Sequence, residues 1–435
     1  MKIGVISLGC AKNLVDTENV LGMLKQANQE IVTSYDEAEA IIINTCGFIE
    51  SAKVEAINTI LDTADLKQKN LKKLIVMGCL AKRYKPQLEV EMPEVDRFIS
   101  IDEYSQLGSI LTETLGVKIA NNYGLTPRLL SGKPWMAYLQ ISDGCDNRCS
   151  FCAIPSIRGK LRSVPQEDVI TEAKRLISIG VKEITLVAQD CSRYGFDFDR
   201  KLHLVELLKE LDSLEGIEWI RMLYLYPDEI PDGLFETIQQ SKHILPYFDI
   251  PTQSGSNHVL HAMRRKTNRE RILGITKHIR EMLPNASLRT TLISGFPGET
   301  LEDHLETVSM VKEVGFNHLG VFTFSKEEGT YAETMEDDVL PEEKERRRAE
   351  IMQLQEKIAS DLLLNKIGTT SKVLVEGRNP LTHMYTGRSY AFAPDGVDGY
   401  VMFKSNQEHE AGQFANVHFT KVSGQNLIGE EIEED

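Results

Sequence analysis

The 435-residue sequence has no apolar run long enough to cross a bilayer, which excludes a membrane-spanning helix. Its opening stretch, MKIGVISLGC, has one Lys and an apolar segment too short for a secretory signal, and no cleavage site follows. SLGC there reads as the end of a first β-strand rather than as a lipoprotein site, so a cytoplasmic location is expected. Positive charge is scarce: 49 Lys and Arg face 65 Asp and Glu, a net charge of −16. That balance argues against a protein that grips nucleic acid mainly by its phosphates, and it favours a basic partner. No internal repeat is present, which excludes a solenoid. Paired disulfides are excluded as the only use of cysteine, because the count of seven is odd. In a cytoplasmic chain, metal binding or catalysis is the better use of them. What remains is a globular composition, 41% hydrophobic and 26% charged, long enough for two or three domains.

Residues 1–118 alternate apolar runs of strand length (KIGVISL, AIIIN, KKLIVM) with helical patterns. ESAKVEAINTILDTADLKQ carries Val54, Ile57, Ile60 and Leu61 at helical spacing. Continuous apolar strands between helices predict an open parallel sheet of flavodoxin-like type. The stretch NNYGLTPRLLSGKP marks a boundary. Residues 131–366 resume the alternation with WMAYLQIS, EITLVAQD, WIRMLYLY, YFDIPTQ, LRTTLISG and HLGVFTFS. Six such units predict a partial (β/α)6 barrel whose active rim lies at the C-terminal strand ends. A trailing helix follows between Pro341 and Gly368, with Ile351, Leu354, Ile358 and Leu362 on one face and a charge run expected to be solvated. Residues 368–435 change to short alternating runs, predicting a small antiparallel β-barrel, and the end GEEIEED reads as a disordered acidic tail.

The chemistry concentrates in SDGCDNRCSFCAIP, where Cys145, Cys149 and Cys152 fall within eight residues. Zinc asks for a fourth ligand, and no His lies between this loop and His203. Read as a cluster loop, three thiolates hold three irons of a [4Fe–4S] cluster and leave the fourth open. The loop directly follows the first barrel strand, at the catalytic rim. Cys10, Cys46 and Cys79 share another feature, since each ends a strand of the N-terminal sheet. C-terminal strand ends lie along one edge of such a sheet, so these thiols are expected to converge. The alternative is three small buried residues, but the shared station favours ligands.

With Phe151 as its aromatic, C-x3-C-x-aromatic-C resembles the radical S-adenosylmethionine (SAM) signature. The resemblance implies that the open iron chelates SAM, which an electron then cleaves to methionine and a 5′-deoxyadenosyl radical. Two three-cysteine sets followed by a TRAM-type barrel resemble the radical SAM methylthiotransferase family along nearly the whole chain. That family implies two [4Fe–4S] clusters, the auxiliary one holding a sulfur species, and SAM as both methyl donor and radical source. It also implies an electron-donor protein and a sulfur source. One branch modifies an adenosine of tRNA, the other an aspartate β-carbon of ribosomal protein S-twelve. SLGCAKNLVDTE, NTCGFIESAK, SDGCDNRCSFCAIPSIRGKLRS and GRSYAFAPDGVDG resemble the second branch. Residues 368–435 hold five Lys and Arg against ten Asp and Glu. An acidic barrel suits a basic ribosomal protein or the small ribosomal subunit and speaks against tRNA binding.

By the same resemblance Phe151, Gln189, Gly295, Gly298 and Glu299 line the SAM pocket, with Asp190 beside them at the rim. An ordinary barrel turn, with Glu299 opening the next helix, would explain the TLISGFPGET stretch equally well. Ser254 departs from the ribosomal-protein branch, where His is expected, and is closer to the tRNA branch. Cys191 belongs to neither set and reads as a spare thiol at the rim, within reach of the SAM cluster. Arg158 and Arg162 either orient an acidic substrate or SAM, or form a solvated basic loop, the reading preferred from sequence. From a different class stands a non-catalytic, zinc-bearing ribosome-binding protein. Metal analysis after anaerobic purification separates these readings: iron with acid-labile sulfide is expected, and zinc without either would replace the enzyme with the binding protein.

Overall fold

The computed structural model describes residues 1–125 and 127–433. Strands β1 (Lys2–Ser7), β2 (Glu30–Ile31), β3 (Ala40–Thr45), β4 (Lys73–Gly78) and β5 (Arg97–Ser100) form a parallel sheet in the order β2-β1-β3-β4-β5. This is the flavodoxin-like order, with its switch point between β1 and β3. Ile41, Ile42, Ile43, Leu74, Ile75 and Val76 are all fully buried, which is why β3 and β4 read as unbroken apolar runs. The helix Glu50–Ala64 turns a different stripe inward than its apolar spacing suggested. Ala56, Ile60 and Thr63 are buried, whereas Val54 and Leu61 are exposed on a neighbouring face.

The central layer begins with β6 (Met136–Gln140) and a short hairpin, β7 (Ser142–Asp143) with β8 (Arg162–Ser163), that pins both ends of the cysteine loop. β9 (Glu183–Val187) and β10 (Trp219–Met222) join β6 in one parallel sheet. β11 (Tyr247–Asp249), β12 (Ser287–Ser294) and β13 (His318–Thr323) form a second. A bridge between Ile220 and Ile244 links the two into one six-stranded arc, a partial barrel. The trailing helix, Pro341–Leu364, packs Ile351, Leu354 and Ile358 on the central core. Its charge run is only partly solvated: Lys344 and Arg347 are buried, paired at 2.7 Å to Asp337 and Glu299. Helical periodicity turned these two inward, and each charge found a carboxylate there.

The C-terminal strands β14 (Thr370–Arg378), β15 (Tyr385–Ser389), β16 (Val401–Lys404), β17 (Phe414–Ser423) and β18 (Asn426–Glu431) close a barrel in the order β14-β15-β16-β18-β17. One pairing, β16 with β18, is parallel, so the barrel is not wholly antiparallel. The expected disordered tail is strand as far as Glu431, paired on both sides, and Glu434 and Asp435 lie outside the described residues.

This barrel sits against the N-terminal ends of the central strands, across the layer from the cysteines. Arg388 of β15 meets Glu183 at 2.6 Å, and Arg221 meets the same carboxylate at 2.8 Å, with all three side chains buried. Burial alone would raise the Glu183 carboxyl, but Arg388 and Arg221 hold it down to about 2. Arg388→Met leaves Arg221 alone with a buried carboxylate. It is expected to cost about 3–5 kcal/mol, measured as a lower urea midpoint; an unchanged midpoint would show the network to be dispensable.

Candidate functional site

The N-terminal triad is assembled by strand ends. Cys10 follows β1, Cys46 follows β3, and Cys79 opens the helix after β4, so the first two flank the switch point. Asn13, on the first turn after Cys10, is their hub. Its amide nitrogen donates to the carbonyls of Leu8 (3.0 Å) and Thr45 (3.1 Å). That fixes its Oδ1 at 3.6 Å from Cys79 Sγ and 4.0 Å from Cys10 Sγ. Gly9, at φ 90°, leaves room for Cys46: a Cβ there would stand 2.6 Å from the Cys46 Cβ and 3.2 Å from its Sγ. Desolvation pushes the buried Cys79 thiol up to about 12 and raises Cys46 as well. Such thiols ionise when a metal replaces the proton.

Arg158 supplies positive charge here. Its Nη2 lies 3.9 Å from Cys79 Sγ and donates to Asn13 Oδ1 and Asp16 Oδ2, both at 2.8 Å. Burial works against its charge, yet Asp16 and then Asp143 raise its pKa. The solvated reading therefore fails for Arg158, because the loop folds its side chain between the two layers. It holds for Arg162, which is 70% exposed and 3.6 Å from Asp143.

The second triad lies on the loop between β7 and β8. Gly144 turns the chain at φ 76°, where a Cβ would strike the Lys160 carbonyl, and the Cys145 amide donates to Gly159 O at 3.1 Å. Cys145 Sγ accepts from the Asn147 amide at 3.4 Å, while Cys149 Sγ faces Tyr226 Oη (3.9 Å) and Arg265 Nη1 (3.8 Å). Desolvation, with smaller contributions from neighbouring thiols, lifts Cys145 to about 11 and Cys152 to about 12. Asn147 also donates to Asp190 at 2.8 Å, and burial pushes that carboxyl up to about 6. Ala153 and Ile157 pack into the core of the N-terminal sheet, clamping the loop against the layer that carries the other triad.

Among the described residues, no group of three or more His, Cys, Asp or Glu is arranged to hold a single metal ion. A cluster makes a different demand, since its irons each take one thiolate and the ligands spread around it. Both triads have the right donors for that, each with a cation beside one thiol.

The remaining expected residues fall into two groups. Phe151, within the cysteine loop, packs edge-on to Phe296, centroids 6.5 Å apart. Gln189 donates to Asp143 at 3.3 Å, and its buried Oε1 has no partner among the described residues. The Glu299 carboxylate is held by Arg347 (2.7 Å) and by the Gly295 amide (3.1 Å), so it closes the turn instead of standing free for a ligand. The Gly298 amide donates to Asp338 at 2.7 Å. Ser254 is buried and caps its own turn, accepting from the Ser256 amide at 3.1 Å. Cys191 is not at the rim: its thiol is fully buried in the central core, because the short helix it opens turns inward. Sequence reasoning missed Arg265, whose guanidinium lies 3.9 Å over the Tyr226 ring beside Cys149. Its only signal was a basic run, Arg264-Arg265-Lys266.

Three family models match the chain: Uncharacterized protein family UPF0004 over residues 2–100, the Radical SAM superfamily over 139–311 and the TRAM domain over 367–432. The chain is 45% identical over 100% of its length to the ribosomal protein uS12 methylthiotransferase RimO of Acetivibrio thermocellus, and covers 99% of that protein. It is 44% identical to the protein of the same name from Alkaliphilus oremlandii, with 99% of each chain covered. The chain belongs to the ribosomal protein uS12 methylthiotransferase family of radical SAM enzymes. Its fold is also that of the radical SAM methyltransferase TsrM from Kitasatospora setae: TM-score 0.54 and 12% identity, covering 74% of this chain and 72% of that one. No helix among the described residues is long and apolar enough to cross a membrane.

Arg158→Met strands Asp16 in a buried site. It is expected to cost about 3–5 kcal/mol and to release iron from the N-terminal triad, read as iron per chain and as loss of one set of cluster spectroscopic signals. Full iron content with unchanged stability would show that Arg158 supports neither.

Proposed function

We propose that this enzyme adds a methylthio group to the β-carbon of an aspartate in ribosomal protein S-twelve, working in the cytoplasm. The observation that carries the reading is the meeting of the two triads: Arg158 leaves the loop of one and lies 3.9 Å from Cys79 of the other. Residues 1–118, 131–366 and 368–435 are read as its auxiliary-cluster, radical SAM and TRAM-type domains. Cys145, Cys149 and Cys152 would hold the SAM-binding cluster, and Cys10, Cys46 and Cys79 the auxiliary one. The loaded groups supply a methylated sulfur and a hydrogen-abstracting radical. The chain's own residues do the rest. Phe151, Gln189, Gly295 and Gly298 wall the SAM pocket, with Glu299 shaping that wall through Arg347. Arg265 sets positive charge 3.8 Å from Cys149 Sγ, beside the cluster that this triad would hold. An electron-donor protein and a sulfur source are required partners, and no membrane is involved.

The tRNA reading draws on Ser254, but that hydroxyl is buried within its own turn. Of the five cations of the C-terminal barrel, Arg388 is buried and paired, which leaves still fewer for phosphate.

The test offers reconstituted enzyme, with SAM, reductant and sulfide, unmodified small ribosomal subunits and unmodified tRNA in parallel. Mass spectrometry is expected to find one methylthio group on an aspartate of the ribosomal protein and none on tRNA. Methylthio-adenosine with no protein change would overturn the substrate. Cys145→Ala is expected to abolish SAM cleavage. Cys46→Ala should retain cleavage and lose transfer, and transfer by Cys46→Ala would remove the auxiliary role.

A further inference from the structure

A buried cation normally needs an anion, because losing water around an ammonium costs far more than a carbonyl contact returns. The buried Lys and Arg side chains of this protein obey that rule with two exceptions. Among the described residues, Lys12 and Arg265 alone are buried with no Asp or Glu carboxylate within 4.0 Å. Arg265 donates to the Pro251 carbonyl at 2.7 Å and stands 3.8 Å from Cys149 Sγ, a sulfur already read as a cluster ligand. Lys12 has nothing equivalent. Its Nζ donates to the Ala188 carbonyl at 2.9 Å and sits 4.5 Å above the Tyr224 ring. An ammonium has three donors, and the structure occupies one of them.

Its position is as informative as its missing partner. Lys12 lies two residues beyond Cys10, on the first turn of the helix Ala11–Gln26. Its side chain crosses from the N-terminal layer to the C-terminal rim of the central strands, since Ala188 directly follows β9 and precedes Gln189. Tyr224, just past β10, is fixed at φ 62° by its backbone amide donating to Asp249 Oδ2 (3.1 Å) and by its carbonyl accepting from the Cys191 amide (2.9 Å). Burial, then Asp249 and Cys10, raises its phenol, so the ring under Lys12 also feels the Cys10 thiol. The acids beside its two contacts are otherwise engaged: Asp190, two residues past Ala188, with Asn147 and Ser192, and Asp249 with Tyr224 and Arg289. Lys12 therefore carries an unmatched charge from the turn that follows Cys10 to the strand end that precedes Gln189.

We propose that Lys12 is the receptor for the substrate's side-chain carboxylate and sets specificity for an acid over an amide or a base. The inference rests on the methylthiotransferase reading above. In an aspartate the carboxyl carbon is bonded directly to the β-carbon, so an ammonium that holds the carboxylate also fixes the carbon that must lose hydrogen and gain sulfur. Lys12 touches the substrate without taking part in bond making, which separates its effect on recognition from any effect on the clusters.

The experiment compares small ribosomal subunits whose target residue is Asp with subunits carrying Asn there, using wild type, Lys12→Gln and Lys12→Arg. Wild type is expected to favour Asp in kcat/KM by roughly 10- to 150-fold, the range for one hydrogen bond to a charged group. Lys12→Gln should lose that preference through a raised KM for the Asp substrate, and Lys12→Arg should recover part of it. Equilibrium binding of the subunits to the enzyme without SAM should rank the same way. Iron content and circular dichroism report on the fold of each variant. A folded Lys12→Gln that keeps the Asp preference overturns the proposal. So does a wild type that accepts Asn as readily as Asp, and that comparison stands even if the variant does not fold. Wild type that modifies no subunit at all removes the methylthiotransferase reading, and the role of Lys12 with it.

Discussion

The guanidinium of Arg158 joins the two halves of the site. It leaves the cysteine loop of the central layer and ends among Asn13, Asp16 and Cys79 of the N-terminal layer. Every part of that arrangement needs the others. Asp16 is buried, and desolvation raises its carboxyl despite Arg158 beside it, so the pair is tolerable only with close geometry and further hydrogen bonds, one of them from Tyr123 at 2.7 Å. Asn13 can present its oxygen to two thiols only because Leu8 and Thr45 hold its nitrogen. A loop and a sheet edge distant in sequence are thus held in register by a contact that fails if either moves by an ångström or so.

Around that contact the molecule sorts its buried charge into two planes. At the N-terminal ends of the central strands each of these buried charges meets an opposite one: Glu183 takes both Arg221 and Arg388, while Asp398 faces Arg289 and accepts from Tyr247, although Arg221 Nη2 has no hydrogen-bond partner among the described residues. That plane is a seal, and it fastens the C-terminal barrel. At the C-terminal ends the charges are not all matched: among the described residues, Lys12 and Arg265 lack carboxylates and Gln189 Oε1 has no partner. Buried polar groups left short of partners are costly to stability, and they persist where a ligand completes them. The two planes use the same residue types, and they differ in whether every buried cation meets a carboxylate.

How much of this was legible in the sequence follows from how local each signal is. The loop triad is written in consecutive residues, and the other triad in a rule about strand ends, so the convergence of Cys10, Cys46 and Cys79 could be expected before any coordinates. The sheet types could also be read, because β3 and β4 are buried on both faces and lack polar alternation. What was not legible depends on the opposing surface. Arg158, Lys344 and Arg347 look like solvated basic residues until the chain folds a carboxylate against each. Cys191 looks like a rim thiol until its short helix turns it inward. Val54 and Leu61 satisfy helical spacing, yet the sheet meets the helix on the stripe through Ile60. The parallel pairing of β16 with β18 arises from barrel closure, which no single strand encodes.

The acidic C-terminal barrel takes on a narrower meaning once its position is known. It contacts the first residues of the central strands, whereas the cysteines lie beyond the last ones. Its charge therefore acts at a distance, raising the encounter rate with a basic partner and repelling polyanions. Long-range attraction of that kind is weakened by salt and carries little chemical detail. Discrimination of one side chain from another needs a desolvated contact at the reacting atom, where an unmatched charge is expensive. Among the described residues, Lys12 is a buried cation of the rim that meets neither a carboxylate nor a cysteine of the SAM loop, so selection of the partner and selection of the residue fall to opposite ends of the central strands.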